Sequence, residues 1–359
     1  MGVTSRFQTR PTPSGAAKLV GVAVLLLIPL VTSSYRTSII ATYITFAILA
    51  VGIDLVWGYT GMLTLGHAAF FGAGGYTTAK LLTGVPEIPS LLVVFVVAPV
   101  VTGLLTLGIG WLLFTADLKG AYFAITTLII SIVFERIAGE FVGFFGGFNG
   151  IYNIPSLAIG SFEFPATLTY YVAAGVLIGV YLLAQRLVNS AFGRVMRGIR
   201  ENEERTQFLG YDTQQYRLIV FTLSGVIAGL AGALYVTIDG FVSPPLLGFV
   251  LSTQVVIWIA VGGRGTLVGA VVGPMLIQYL NSTLSDVLLN FWELAIAILF
   301  IVVVIVAPRG LVGSAEQITA NLRARASGGI GTSGDARSPA KVDTEQPDST
   351  SHVGDDSDG

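Results

Sequence analysis

Apolar runs about as long as a bilayer is thick recur along most of this 359-residue chain, and that recurrence limits its fold more than any other feature. A helix needs about 20 mostly apolar residues to cross the hydrocarbon core, and only helices or closed barrels satisfy their own backbone there. Ten such stretches are predicted, near 18–34, 37–57, 61–82, 90–115, 120–138, 165–185, 217–238, 249–263, 266–285 and 291–307. The third, fifth, eighth and ninth are short or rich in glycine, as broken or re-entrant segments are. The predicted fold class is an all-α membrane protein of about ten transmembrane helices, some broken or re-entrant. Composition agrees: 53% of residues are hydrophobic and 11% charged, against about 25% charged in soluble proteins.

Basic residues orient the spans, because lysine and arginine collect on the cytoplasmic side. With the N-terminus inside, all 19 of them except Arg36, Lys80 and Arg136 fall on that side. The segment 139–164 carries Glu140 and Glu163 but no lysine or arginine, and reads as external. The segment 186–217 carries Arg186, Arg194, Arg197, Arg200, Arg205 and Arg217, and reads as internal. Between 249 and 285 a single long kinked element remains an alternative to two spans. No small-residue cleavage pattern follows the first apolar run before Tyr35 and Arg36, so it is expected to stay attached as a span. The expected organisation is a cytoplasmic segment at 1–17, a transmembrane domain at 18–311 and a disordered, acidic cytoplasmic tail at 312–359. The tail is too rich in Ser, Gly, Asp, Thr and Pro to bury a core. Both termini are expected in the cytoplasm, with the chain in the plasma membrane.

Several chemistries are excluded. The chain has no cysteine and only two histidines, His67 and His352, so no metal centre or thiol chemistry is expected. No G-x-x-x-x-G-K-[ST] stretch occurs, so the chain does not hydrolyse ATP by that route. No nucleophile–base pair or paired carboxylate appears; Ser131 and Ser224 read as ordinary helix residues. No catalytic residue and no cofactor are expected. The net charge of -2 does not suggest nucleic acid.

Four stretches carry functional signal. In "GYTGMLTLGHAAFFGAGGYTTAKLL" (58–82), glycines such as Gly66 let helices approach closely, and His67 is an ionisable residue at membrane depth. Two readings of His67 stand: a functional group facing protein or water, or a neutral ring bonded to a carbonyl of a neighbouring helix. In "LKGAYFAITTLIISIVFERI" (118–137), the hydroxyls of Tyr122, Thr126 and Thr127 fall near one helix face, to line a path or to bond across helices. Glu135 and Arg136 sit at its outer end. The third stretch, "GFFGGFNGIYNIPSLAIG" (143–160), is an external segment of tight turns. The fourth, "NSAFGRVMRGIRENEERTQFLGYDTQQYRL" (189–218), predicts one short amphipathic helix of mixed charge, ended by Gly210. Mixed charge suits a groove on a soluble partner better than a lipid surface.

In this order these stretches resemble the membrane permease subunits of high-affinity branched-chain amino acid ABC transporters. The resemblance runs from about residue 40 to 311. It rests on "GxxGxxxLGHAAFFGxGGY" (58–76), "KGAYFAITTL" (119–128), "GGFNGIYNIP" (146–155), "SAFGRVMRGIRENE" (190–203), "SGVIAGLAGALY" (224–235), "SPP" (243–245), "GGRGTLVGAVVG" (262–273) and "PRGLVG" (308–313). It implies an importer in which a second related permease completes the pathway. Two cytoplasmic ATPase subunits energise it, and an extracytoplasmic binding protein delivers substrate. It also implies that 186–217 is a coupling loop, with Gly193, Arg194, Arg197, Arg200, Glu201 and Asn202 at the ATPase. A pathway that conducts must bind weakly, and Gly66, His67, Tyr76, Tyr122, Thr126 and Thr127 are the expected lining. A permease for urea or short amides, and an ion-coupled secondary transporter, remain as alternatives. Asp54, His67 and Glu293 are few and scattered for the latter.

Overall fold

A computed structural model of the chain describes residues 15–85, 87–288 and 310–313. Helices dominate it. Those of six residues or more are, in chain order, α1 (Gly15–Val31), α2 (Ser34–Asp54, prolonged by a π-helical turn at Leu55–Tyr59), α3 (His67–Gly84), α4 (Ser90–Thr115), α5 (Gly120–Glu140), α6 (Ala166–Asn189), α7 (Ala191–Glu201), α8 (Glu203–Phe208), α9 (Thr213–Asp239), α10 (Phe249–Gly262) and α11 (Leu267–Leu288). Among the described residues six helical stretches are long and apolar enough to cross a bilayer, within α2, α4, α5, α6, α9 and α11; α1 and α10 contribute shorter apolar helices. The third expected span is displaced: residues 61–66 are not helical, Gly61 has a φ of 81°, and α3 starts at His67. The stretch 249–285 is two helices, not one kinked element. The expected span 291–307 lies outside the described residues, as do 1–14 and everything after 313.

Helices α2 and α9 form the centre. In α2, 83% of the most apolar window is buried, and in α9 67%, against 28% in α5. The outer helices therefore keep an apolar face for lipid. On α4 that face is Val100, Val101, Leu104, Leu107, Trp111 and Leu112. Lipid tails give helices no hydrophobic reason to associate, so close backbone approach has to supply the attraction. Helix α9 achieves it on two sides. A Cβ on Gly232 would overlap the Phe71 carbonyl of α3, and one on Gly225 or Gly229 would overlap Thr106 or Thr102 of α4. The α10–α11 pair closes in the same way, with Gly262 against Gly269 and Gly273.

The loops segregate to two ends of this bundle. At one end, the turn between α10 and α11 is tied to the end of α2. Gly265 N donates to Asp54 Oδ1 at 2.7 Å, and Arg264 donates to the Trp57 carbonyl at 3.2 Å. At the other end, the segment 143–165 is ordered by pairing. Strand β1 (Ile151–Tyr152) lies antiparallel to β4 (Phe241–Val242), and β2 (Ala158–Ile159) to β3 (Phe162–Glu163). Gly150, at φ 73°, passes so close to the Val242 carbonyl that no side chain fits. Ser90 ties this end to α4 through Ala158, accepting from its N at 2.8 Å.

The packing of α9 makes a direct prediction. Gly232→Val forces α9 off α3, whereas Gly175→Val on α6 enters open space. Overpacking of this kind costs about 1–3 kcal/mol or more. Size-exclusion profiles of the detergent-purified proteins check it: the Gly232 variant should lose its monodisperse peak and the Gly175 variant should keep it.

Candidate coupling and translocation site

The loop between α6 and α9 folds as two helices rather than the single one predicted. The chain breaks at Asn202, whose extended backbone ends α7 and whose side chain caps α8 by accepting from Arg205 N at 2.8 Å. Ser190 caps α7, accepting from Gly193 N. Gly193 is pressed against the Val188 carbonyl, which lets α7 turn back beneath α6. The inner face of α7 buries Val195, Met196 and Ile199.

The six residues expected at the ATPase divide between two faces. Arg194, Glu201 and Asn202 are exposed, and Gly193 is buried. Arg197 turns inward to donate to the Val188 carbonyl at 3.2 Å, and Arg200 donates to the Gly58 carbonyl at 2.6 Å. The residues expected at the ATPase leave out the most exposed apolar group of the loop: Phe208 is 90% exposed and Leu209 stands beside it, followed by Gly210 at φ 88°. An apolar pair at the foot of a short charged helix is the available signal.

The six residues expected along the pathway do not form one surface. Gly66 lies against the Thr127 carbonyl, where a Cβ would overlap it. Thr127 is buried and accepts from Leu65 N at 3.1 Å, so it fixes the loop that leads into α3. His67 is buried in protein. Its Nδ1 meets Thr64 Oγ1 at 3.0 Å and its Nε2 meets Ser224 Oγ at 2.7 Å, with Phe70 and Phe221 edge-on around the ring. Two hydroxyl partners satisfy a neutral imidazole, one nitrogen donating and the other accepting; the partners are side chains, where the neutral reading of His67 places a backbone carbonyl. Tyr76 is buried midway along α3, against Phe145, and its hydroxyl has no partner among the described residues. Tyr122, 76% exposed, and the half-buried Thr126 lie on the outer face of α5, one turn apart. Thr126 donates to the Tyr122 carbonyl at 2.8 Å. The three α5 hydroxyls expected along the pathway therefore serve two faces, Thr127 inward and the other two outward.

The family described as "Branched-chain amino acid transport system / permease component" matches residues 35–307. The chain belongs to that family. The high-affinity branched-chain amino acid transport system permease protein LivM of Escherichia coli is 27% identical over 325 residues, covering 82% of this chain and 74% of its own. Its counterpart in Salmonella typhimurium is 26% identical over 311 residues, covering 79% and 71%. The probable branched-chain amino acid transport permease protein LivH of Methanocaldococcus jannaschii is 27% identical over 282 residues, covering 74% and 88%. No solved structure matches. The chain is thus a multi-pass membrane permease with a transport rather than an enzymatic role.

For this permease the His67–Ser224 bond is predicted to stabilise the fold. Ser224→Ala leaves a buried ring nitrogen without its partner, which costs about 1–3 kcal/mol. The apparent Tm of the purified variant should fall below that of the parent; an unchanged value would show that the bond contributes nothing.

Proposed function

We propose that this permease is one membrane subunit of an ABC importer for branched-chain amino acids. A second, related permease completes the pathway, and two cytoplasmic ATPases dock on the loop of α7 and α8. An extracytoplasmic binding protein presents substrate at the opposite end, where β1–β4 and β2–β3 lie. The end carrying α7 and α8 is cytoplasmic, and so are both termini. Its concentration of arginines, set against Glu140 and Glu163 at the other end, supports that orientation through the positive-inside rule.

The observation that carries this reading is the pair α7–α8. It projects from the membrane domain, is held by inward hydrogen bonds, and presents Arg194, Glu201, Phe208 and Leu209 outward. An exposed apolar pair flanked by mixed charge matches a groove on a soluble protein. The substrate assignment rests on the family and its named relatives. The outward hydroxyls of Tyr122 and Thr126 support a path along α5. The exposed side chains named on α4 are apolar instead.

Two outcomes are expected. Co-purification with the ATPases and sister permease should retain the ATPases on the parent, while Phe208→Asp, a change at an exposed site, reduces retention about tenfold, a loss typical of an interface anchor. Retention by neither form would remove the importer reading in favour of ion-coupled transport. In proteoliposomes with the binding protein, leucine uptake should be competed by valine and not by urea. The Tyr122→Ala, Thr126→Ala double variant should lower it several-fold without loss of assembly, and unchanged uptake would take both residues off the pathway.

A further inference from the structure

Arg217 stands near the N-terminal end of α9, one of the two central helices, and is 3% exposed. A buried guanidinium is tolerated only if its donors are met. Here its contacts reach four separate segments. Nη1 donates to Glu203 Oε1 of α8 at 3.0 Å, and Nη2 to the Leu118 carbonyl, just before α5, at 2.9 Å. Nε points at Met62 Sδ, in the loop leading to α3, at 3.1 Å. The guanidinium also lies 4.7 Å from the ring centre of Phe114, in the last turns of α4. Glu203 is held in turn by Thr213 Oγ1 at 3.1 Å, which accepts from Gln207 of α8 at 2.8 Å. The planar, five-donor arginine head suits this junction in a way that a lysine point charge does not.

We propose that Arg217 is a positioning residue for transport, the joint through which a displacement of α8 reaches the ends of α3, α4 and α5 together. This deepens the importer reading above and rests on it. Arg217 touches no substrate. Its role follows from geometry: tightly packed elements move as bodies rather than deforming continuously, and this side chain fastens the docking loop to three helix ends at once. The Arg200–Gly58 bond fastens α7 to the same 58–66 segment from the other side. That segment leads directly into Gly66 and His67, so its position sets where α3 begins.

The test uses the full complex in proteoliposomes: this chain, sister permease, ATPases and binding protein. Arg217→Lys and Glu203→Gln are compared with the parent and with Gln214→Ala, an exposed neighbour. Three quantities are read on the same samples: ATPase retained, ATP hydrolysed and leucine taken up. The expected result is normal retention and continuing hydrolysis, with uptake per ATP about tenfold lower in both joint variants, within the usual span of an allosteric coupling. Gln214→Ala should match the parent. A merely structural Arg217 would instead lower uptake and hydrolysis together, in proportion to assembled complex, and an unchanged uptake-to-ATP ratio would overturn the proposal. If Arg217→Lys fails to assemble, the same ratio in Glu203→Gln decides. If the parent retains no ATPase, the importer reading fails before any variant is compared, and this proposal goes with it.

Discussion

The close approach of α9 to its neighbours is the constraint on which the rest of the structure depends. Gly232 meets the Phe71 carbonyl of α3, and Gly225 and Gly229 meet threonines of α4. In water, apolar burial would drive such helices together. In lipid that drive is absent, and attraction comes from dense van der Waals contact between backbones with little side chain between them. Once α3 is seated on α9, His67 falls opposite Ser224 and Phe221. Arg217 at the foot of α9 then lies within reach of Met62 and Leu118. The polar bonds are consequences of the packing and lock its register.

That order of cause explains why polar groups at depth look different on different helices. Inside the bundle several are matched across elements, Asp54 to Gly265 N, Ser131 to the Leu247 carbonyl and Ser252, and Thr127 to Leu65 N, while the Tyr76 hydroxyl has no partner among the described residues. An unmatched one there would cost far more than the bond itself returns. Many remaining hydroxyls bond back to their own helix, as Thr102 does to the Ala98 carbonyl and Thr106 to that of Thr102. Tyr122 differs, since it is bulky, polar and outward on the least buried of the long helices.

How much of this was legible in the sequence depends on the range of the interaction. Span positions are local sums of hydropathy, so α2, α4, α5, α6, α9 and α11 lie close to where composition puts them. Ends are less local. Helix α2 runs on to Tyr59 through a π-helical turn, and α3 waits until His67, because Gly61 turns left-handed and Gly66 is fitted against Thr127. Nothing in the periodicity of 58–67 encodes a partner sixty residues away. The amphipathic loop was visible as alternating charge and apolar residues, but the break at Asn202 is a capping event, since Asn202 serves α8 better than it continues α7. Ser224 is the sharpest case. It reads as one more small residue in "SGVIAGLAGALY", and only the fold makes it the partner of His67, 157 positions away.

The same contrast between local and distant information bears on which residues of the loop do what. Sequence weight falls on the arginines of α7, because charge is conspicuous in so apolar a chain. In the folded chain, Arg197 and Arg200 spend their donors inward on the carbonyls of Val188 and Gly58, and Arg217 on α8 and its neighbours. Each such bond commits one of the five donors of a guanidinium and anchors its head against the membrane domain. The outward surface carries Arg194, Glu201, Asn202 and the apolar step of Phe208 and Leu209. The loop therefore separates two tasks that a linear reading merges: an inner set of arginines that makes it rigid against the membrane domain, and an outer set available for contact. Rigidity on the inner face makes the outer face useful, since a loop that yielded at its root would absorb a push rather than pass it on.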